Sequence, residues 1–164
     1  MAYNMFLKID GIDGDSQDAN HKKWIEVQSY AHKMSQAAGG TLSAHGAHTG
    51  GRVDHEDFTL SKRLDSASPI LAQYCCMGKH IPKVTFEVCR ALGDQTTFMV
   101  YEMSDVIISS VSPVGSAEAT DPLPRENITI RYSMIRWMYT PTDTKGNKGG
   151  VVQAGWSTQE NRTV

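Results

Sequence analysis

A chain of 164 residues with 16 Lys and Arg against 18 Asp and Glu carries a formal net charge of −2. That length suits one domain with a full hydrophobic core and needs no metal or disulfide staple. The near-neutral balance excludes bulk attraction to nucleic acid or to an anionic membrane surface, and apolar runs of four or five residues are far too short to span a bilayer.

The first predicted element is "MFLKI", where Met5, Leu7 and Ile9 alternate against Phe6 and Lys8 at strand spacing. No basic leader with a long apolar block precedes it, so no secretory signal is expected. "DGIDGDSQDAN" follows, with four aspartates and two glycines. A calcium loop of the EF-hand type needs glycine at its sixth position and glutamate at its twelfth. Started at Asp13, those positions hold Asp18 and Trp24; started at Asp10, the third holds Ile12 and the sixth Asp15. The stretch therefore reads as a connection whose aspartates make solvated turns. "WIEVQSYAHKM" reads as a strand through Trp24, Ile25, Val27 and Tyr30.

Gln36 to Arg52 is rich in glycine and small residues and is expected to be flexible in an isolated monomer. His45-x-x-His48 within it, with His55 nearby, has zinc-like spacing but lacks the rigid surroundings that metal ligands need. "VDHEDFTLSKRL" is a strand with Phe58 and Leu60 on its apolar face. "DSASPILAQYCCMG" is the one helix: Ser68 suits the N-cap and Pro69 the first turn. Ile70, Leu71, Tyr74, Cys75 and Met77 share a side, and Gly78 is placed to end the helix in the left-handed conformation. "KVTFEVCRA" puts Val84, Phe86 and Val88 on one face and Thr85, Glu87 and Cys89 on the other. "TTFMVYEMSDVIISSV" is a long strand expected to bend or break near Ser104–Asp105, and "SPVGSAEATDPLP" a loop with three prolines. "NITIRYSMIRWMY" sets Ile128, Ile130, Tyr132 and Met134 against Thr129, Arg131, Ser133, Ile135 and Trp137, and "VVQAGWST" is a last short strand.

The fold class expected is mainly β: a compact β-barrel of two packed antiparallel sheets with one short flanking α-helix over about residues 68–77. A single domain covers 1–164, including the loop at 36–52. Free strand edges in such a domain must be closed, covered or offered to other copies.

No catalytic, cofactor-binding or metal-binding residue is expected, and the chain is not read as an enzyme. The cysteines are Cys75, Cys76 and Cys89; a vicinal pair and an odd count argue against a disulfide framework and fit a reducing compartment. No Cys-x-x-Cys pair, nucleophile elbow, phosphate loop or dinucleotide fingerprint is present. A Cys75 or Cys76 pair with His80 lies near a helix C-terminus, where the dipole disfavours a thiolate. The Asn127-Ile128-Thr129 and Asn161-Arg162-Thr163 sequons carry no weight without a signal peptide.

The residues, taken in series, resemble the Hcp (haemolysin-coregulated protein) family. Its first turn and return strand are matched by Ile9, Gly11, Gly14, Ser16, His21, Ile25 and Val27. Its Asp-x-x-Ser-Pro helix and Gly-Lys-His exit are matched by Asp65, Ser68, Pro69, Gly78, Lys79 and His80. "MSDVIISSVSPVG" resembles its long strand and following loop. The closing strands are matched by Glu126, Trp137, Tyr139, Pro141, Gly155, Trp156 and Asn161. The loop 36–52 follows no family pattern, and Ser157 stands where the family often has Asp or Asn.

The resemblance implies a structural subunit of the type VI secretion tube, a homo-hexamer whose rings stack. It implies partnership with a VgrG spike protein, a contractile sheath and effector proteins in the lumen, with no nucleic acid and no membrane insertion. It also implies residence in the bacterial cytoplasm, then secretion without a signal peptide. Two other readings compete. One is a small-ligand or carbohydrate-binding β-barrel. The other is a hydrolase or nuclease, for which the eight residues after Trp156 are too few to add a catalytic domain.

Overall fold

The computed structural model describes residues 3–39, 49–91, 96–118, 120–143 and 147–164. In chain order the strands are β1 (Tyr3–Ile9), β2 (Ile25–Val27), β3 (Ser29–Ala31), β4 (Met34–Ser35), β5 (Ala38–Gly39), β6 (Thr49–Gly50), β7 (Asp54–His55) and β8 (Phe58–Arg63). Helix α1 (Ser68–Met77) follows, then β9 (Ile81–Arg90), β10 (Thr96–Val114), β11 (Arg125–Tyr139), β12 (Val152–Ser157) and β13 (Arg162–Thr163). The main sheet runs β13-β12-β11-β10-β9-β1-β2, with β8 and β3 branching from β11. Every pairing is antiparallel. The class is as expected: mainly β, with packed antiparallel sheets and a short helix at 68–77.

β11 serves two partners along one edge. Arg125–Ile130 pairs with β8, and Met134–Tyr139 pairs with β12. The segment expected as one strand from Trp24 to Met34 is three short pieces, because it changes partner. β2 pairs with β1, β3 pairs with β8, and the Gln28 N–H between them donates to the Ser61 carbonyl at 2.7 Å. This kinked segment crosses between β1 and β8, and among the described residues no continuous ladder closes the sheet there.

The two longest strands change face together. Tyr101 pairs with Trp137 and Met103 with Ile135; beyond the step, Val106 pairs with Tyr132 and Ile108 with Ile130. The core-facing positions thus switch from odd to even in β10 at the level where they switch in β11. Asp105 sits at the step with φ 51°, and its carboxylate accepts from the Ser133 hydroxyl at 2.7 Å. β10 therefore bends where expected but does not break. In β11 the expected face of Ile128, Ile130 and Tyr132 ends at the step: Ile135 is buried and Met134 is only half-buried. The expected alternation assumed a flat strand, and a corner resets it.

The barrel interior is filled with side chains. Tyr30, Phe58, Phe86 and Tyr101 pack with ring centroids 4.9 to 5.8 Å apart. Leu7, Ile25, Leu60, Val84, Met103 and Ile128 close around them, all fully buried. Burying one such aromatic or aliphatic side chain contributes about 1.5–3 kcal/mol.

α1 packs against β10 through Leu71, with Ile70, Tyr74 and Cys75 half-buried beside it. Gly78 ends it at φ 58°, as expected, but Met77 is exposed. Ser68 is not the N-cap: Ala67 is, without a side-chain cap bond, and Asp65 takes up the free amides. The Asp65 carboxylate accepts from the Ala67 N–H at 3.0 Å, and its carbonyl accepts from the Ser68 N–H at 3.1 Å.

Residues 10–24 fold back on the face of β1 that points away from the core. Ile12, Gly14 and Ser16 are buried, and backbone bonds join Gly14 to Lys23 and Ser16 to Trp24. A Cβ on Gly14 would lie 2.5 Å from the Trp24 carbonyl, so only glycine lets these backbones meet. The solvated-turn expectation holds for Asp13 and Asp15 and fails for Asp18, which turns inward onto His21.

Within and beside the stretch 36–52, expected as a flexible loop, the described residues include short paired strands. β4 pairs with β7 and β5 with β6, so its two legs form an antiparallel ribbon. The pair His45 and His48 lies outside the described residues. No described helix is long and apolar enough to cross a membrane.

Candidate functional site

Three polar clusters stand out, and sequence reasoning singled out none of them. The first is an ion network at the end of the core. Phe58, Leu60 and Lys62 share the inward face of β8; Glu126, Ile128 and Ile130 share that of β11. The register sets Glu126 directly opposite Lys62. Lys62 is fully buried and donates to Glu126 Oε1 at 2.6 Å, Asp65 Oδ1 at 2.7 Å and the Arg63 carbonyl at 2.8 Å. Ser68 Oγ donates to Glu126 Oε1 at 2.6 Å, tying the helix start to the same network. The signal was in the text: a lysine and a glutamate at apolar-face positions of two strands.

The second cluster lies beneath the 10–24 segment. His21 is buried, stacked on Phe6 with centroids 4.1 Å apart and planes 2° from parallel. Its Nδ1 lies 2.6 Å from Asp18 Oδ1, and its Nε2 lies 3.0 Å from Glu87 Oε2 and 3.8 Å from Cys89 Sγ. The Thr97 hydroxyl donates to Glu87 at 2.8 Å and lies 3.3 Å from Cys89 Sγ. Burial works against ionisation of Asp18, but bonds from His21 and the Asn20 N–H more than offset it and hold the carboxyl below its usual range. Burial pushes the Cys89 thiol up, which makes it a poor nucleophile. Alternation had placed Glu87 and Cys89 on the non-core face of β9; the segment that covers them was read as solvated, so their burial was missed.

The third cluster is at the root of the ribbon. His32 Nε2 lies 2.5 Å and His55 Nδ1 2.8 Å from the one hydroxyl of Tyr132. Burial, then the neighbouring His55, lowers His32 to about 4. Burial also lowers His55 and raises the Tyr132 phenol. Beside them, Arg131 bridges to Asp57 at 2.8 Å.

The considered Cys–His pairing is not assembled. His80 Nδ1 binds Asp105 Oδ1 at 3.0 Å instead, and Cys75 and Cys76 stay on α1. Ser133, Asp105 and His80 share residue types with a catalytic triad. Here the carboxylate sits in the middle, so the histidine cannot take the serine proton.

Exposed apolar side chains gather at the ends of the long hairpins. Val114 and Leu123 flank the β10–β11 turn, and Tyr139, Val151 and Val152 flank the β11–β12 connection. β13 is a two-residue edge strand beyond β12.

Residues 6–139 match the family model described as type VI secretion system effector, Hcp. The chain is 33% identical to "Protein hcp1" of Pseudomonas aeruginosa over 163 residues, covering 98% of each chain. It superposes on a solved "type six secretion system protein" with a TM-score of 0.93 at 30% identity, covering 99% of this chain and 100% of the other. It matches Hcp1 from Salmonella typhimurium at TM-score 0.82 and 32% identity, covering 100% of both chains. A match of this length and closeness, in sequence and in fold, means that the chain belongs to the Hcp family of the type VI secretion system.

Proposed function

We propose that this chain is a tube subunit of the type VI apparatus: six copies close side by side into a ring, and rings stack into a tube that is expelled with a VgrG spike from within a contractile sheath. The observation that carries this reading is the likeness to Hcp structures along the whole chain, at TM-score 0.93. The physics agrees with it. A barrel with an open seam, a short edge strand and exposed apolar hairpin ends presents surface that lateral neighbours would cover. Effectors would ride in the bore of the ring. The protein would leave the cytoplasm through the apparatus itself, so it needs no signal peptide. It works by geometry and transforms no substrate.

The ligand-binding barrel has less support, because aromatic and aliphatic side chains occupy the interior where a ligand would sit. The cleft by Val114, Leu123 and Pro124, lined also by Ser61, Asp121 and Arg125, lies on the surface at the β10–β11 turn. Light scattering coupled to size exclusion, followed by negative-stain imaging, tests the reading. The expected outcome is a mass of about six chains and annular particles; a strict monomer at high concentration overturns it.

A further inference from the structure

The His21 cluster has a hydrogen-bonding imbalance. Asp18 Oδ1 faces Nδ1 of His21 at 2.6 Å and Glu87 Oε2 faces Nε2 at 3.0 Å. Both partners are carboxylates, which accept and do not donate when ionised. The ring satisfies both by carrying a proton on each nitrogen, or by giving Nε2 and Glu87 a shared cation.

The donors suit the second arrangement. His21 Nε2, Glu87 Oε2 and Cys89 Sγ come from two segments and lie within 4.8 Å of one another, with His21 and Cys89 buried and Glu87 half-buried. They supply one nitrogen, one oxygen and one sulfur, the mixed set that zinc accepts. Tetrahedral zinc, with bonds of about 2.0–2.3 Å, spaces its donors about 3.3–3.6 Å apart. The 3.0 Å from Nε2 to Oε2 and the 3.8 Å from Nε2 to Sγ bracket that range. Asp18 is placed as an outer partner should be. It accepts a hydrogen bond from Nδ1–H, fixes the ring and leaves Nε2 as the ligating atom. The Thr97 hydroxyl lies against both Glu87 and Cys89 at the edge of this cluster.

We propose that His21, Glu87 and Cys89 form a zinc site that fastens the 10–24 segment to the outer face of the sheet, with Asp18 orienting the imidazole. Binding displaces the thiol proton of Cys89, and the Nε2 proton where present, to solvent. Zinc takes the place of the His21–Glu87 hydrogen bond and neutralises the excess acid around the ring.

The test uses the full chain with Cys75→Ser and Cys76→Ser, which removes the helix thiols as competing ligands. Cobalt(II) is titrated as a spectroscopic stand-in for zinc. The expected result is a saturable sulfur-to-cobalt charge-transfer band at one equivalent per chain, which zinc displaces. Cys89→Ser should abolish the band. Asp18→Asn should keep it with an affinity lower by about 10- to 100-fold. Because Cys89→Ser could also disturb packing, crystals grown with zinc supply a readout that needs no variant at the site: an anomalous peak is expected between Nε2, Oε2 and Sγ. No charge-transfer band, a band that survives Cys89→Ser, or a zinc peak elsewhere overturns the proposal.

Discussion

Lys62 shows how one buried charge decides the stability of a region. Its ammonium has lost all contact with water and depends on Glu126, Asp65 and the Arg63 carbonyl. Removing one partner of such a pair leaves the other as an uncompensated buried charge, at a cost of about 3–5 kcal/mol. Replacing both partners by apolar groups of similar volume is far milder. Lys62→Ala is therefore expected to lower unfolding free energy by about 3–5 kcal/mol, and the double variant Lys62→Met with Glu126→Leu by much less, as read from urea denaturation midpoints. Asp65 remains near in the double variant, and its side carries some exposure through which water can solvate it. A double variant as unstable as the single one would show that the network is worth more than its charge balance. This pairing was legible in principle. Lys62 and Glu126 occupy the inward periods of "FTLSK" and "ENITI", but an alternation count treats a charge at an apolar position as noise until a partner strand is known. The inward turn of Asp18 was not legible, because the same Asp and Gly composition serves a solvated turn and a strap over a sheet.

At the scale of elements, the strands with strict alternation were read well. β1 keeps Met5, Leu7 and Ile9 inside, and β9 keeps Val84, Phe86 and Val88 inside, as expected. The reading failed where a strand turns a corner or changes partner. β11 switches its buried face at Ser133–Met134, and the segment from Ile25 to Met34 divides between partners. Both are tertiary events that local periodicity does not encode. The ribbon root has a consequence for pH. Tyr132 has one hydroxyl for two histidines, so it donates to one and accepts from the other. Two protonated rings would leave its proton without an acceptor and set two positive charges side by side. Asp54, Asp57 and Arg131 also face the cluster, and Arg131 is neutralised by Asp57. His32 sits at about 4 in the folded protein against an ordinary value of 6.5. As pH falls, the unfolded chain binds this proton first, so folding loses support. The contribution is fully present above pH 6.5 and fades as pH falls towards 4. The shift corresponds to about 3.4 kcal/mol for a fully buried ring, and solvent screening of this half-exposed one lowers the loss to about 1–2 kcal/mol. Denaturation midpoints taken at steps across that window should fall with acid, and His32→Gln should flatten the slope. An unchanged slope in the variant would place the acid sensitivity elsewhere.

At the scale of the whole molecule, the family was legible because single weak motifs fell in order along nearly the full chain, whereas no composition or periodicity argument reached beyond an all-β domain with edges to cover. The proposed tube needs two kinds of contact, one closing a ring and one joining rings, and the fold separates the surfaces available for them. The ribbon legs β4–β7 and β5–β6 form ladders of their own outside the main sheet. They are tied to the barrel at the root by the Tyr132 cluster and by the Arg52 side chain donating to the Thr158 carbonyl, while the Lys33–Glu56 ion pair joins the two legs to each other. Among the described residues, none of 34–37 or 51–55 belongs to the buried core. Deleting Gly39–Gly51 should therefore leave the barrel, the root rung Met34–His55 and the lateral surfaces intact. The expected outcome in sedimentation velocity is a ring of unchanged mass, with loss of the larger stacked species expected of the full chain at high concentration. Stacks that persist after the deletion would assign ring joining to the exposed hairpin ends at Val114 and Leu123 instead. Loss of the ring itself would show that the ribbon closes the annulus laterally, and the division of labour between barrel and ribbon would be wrong.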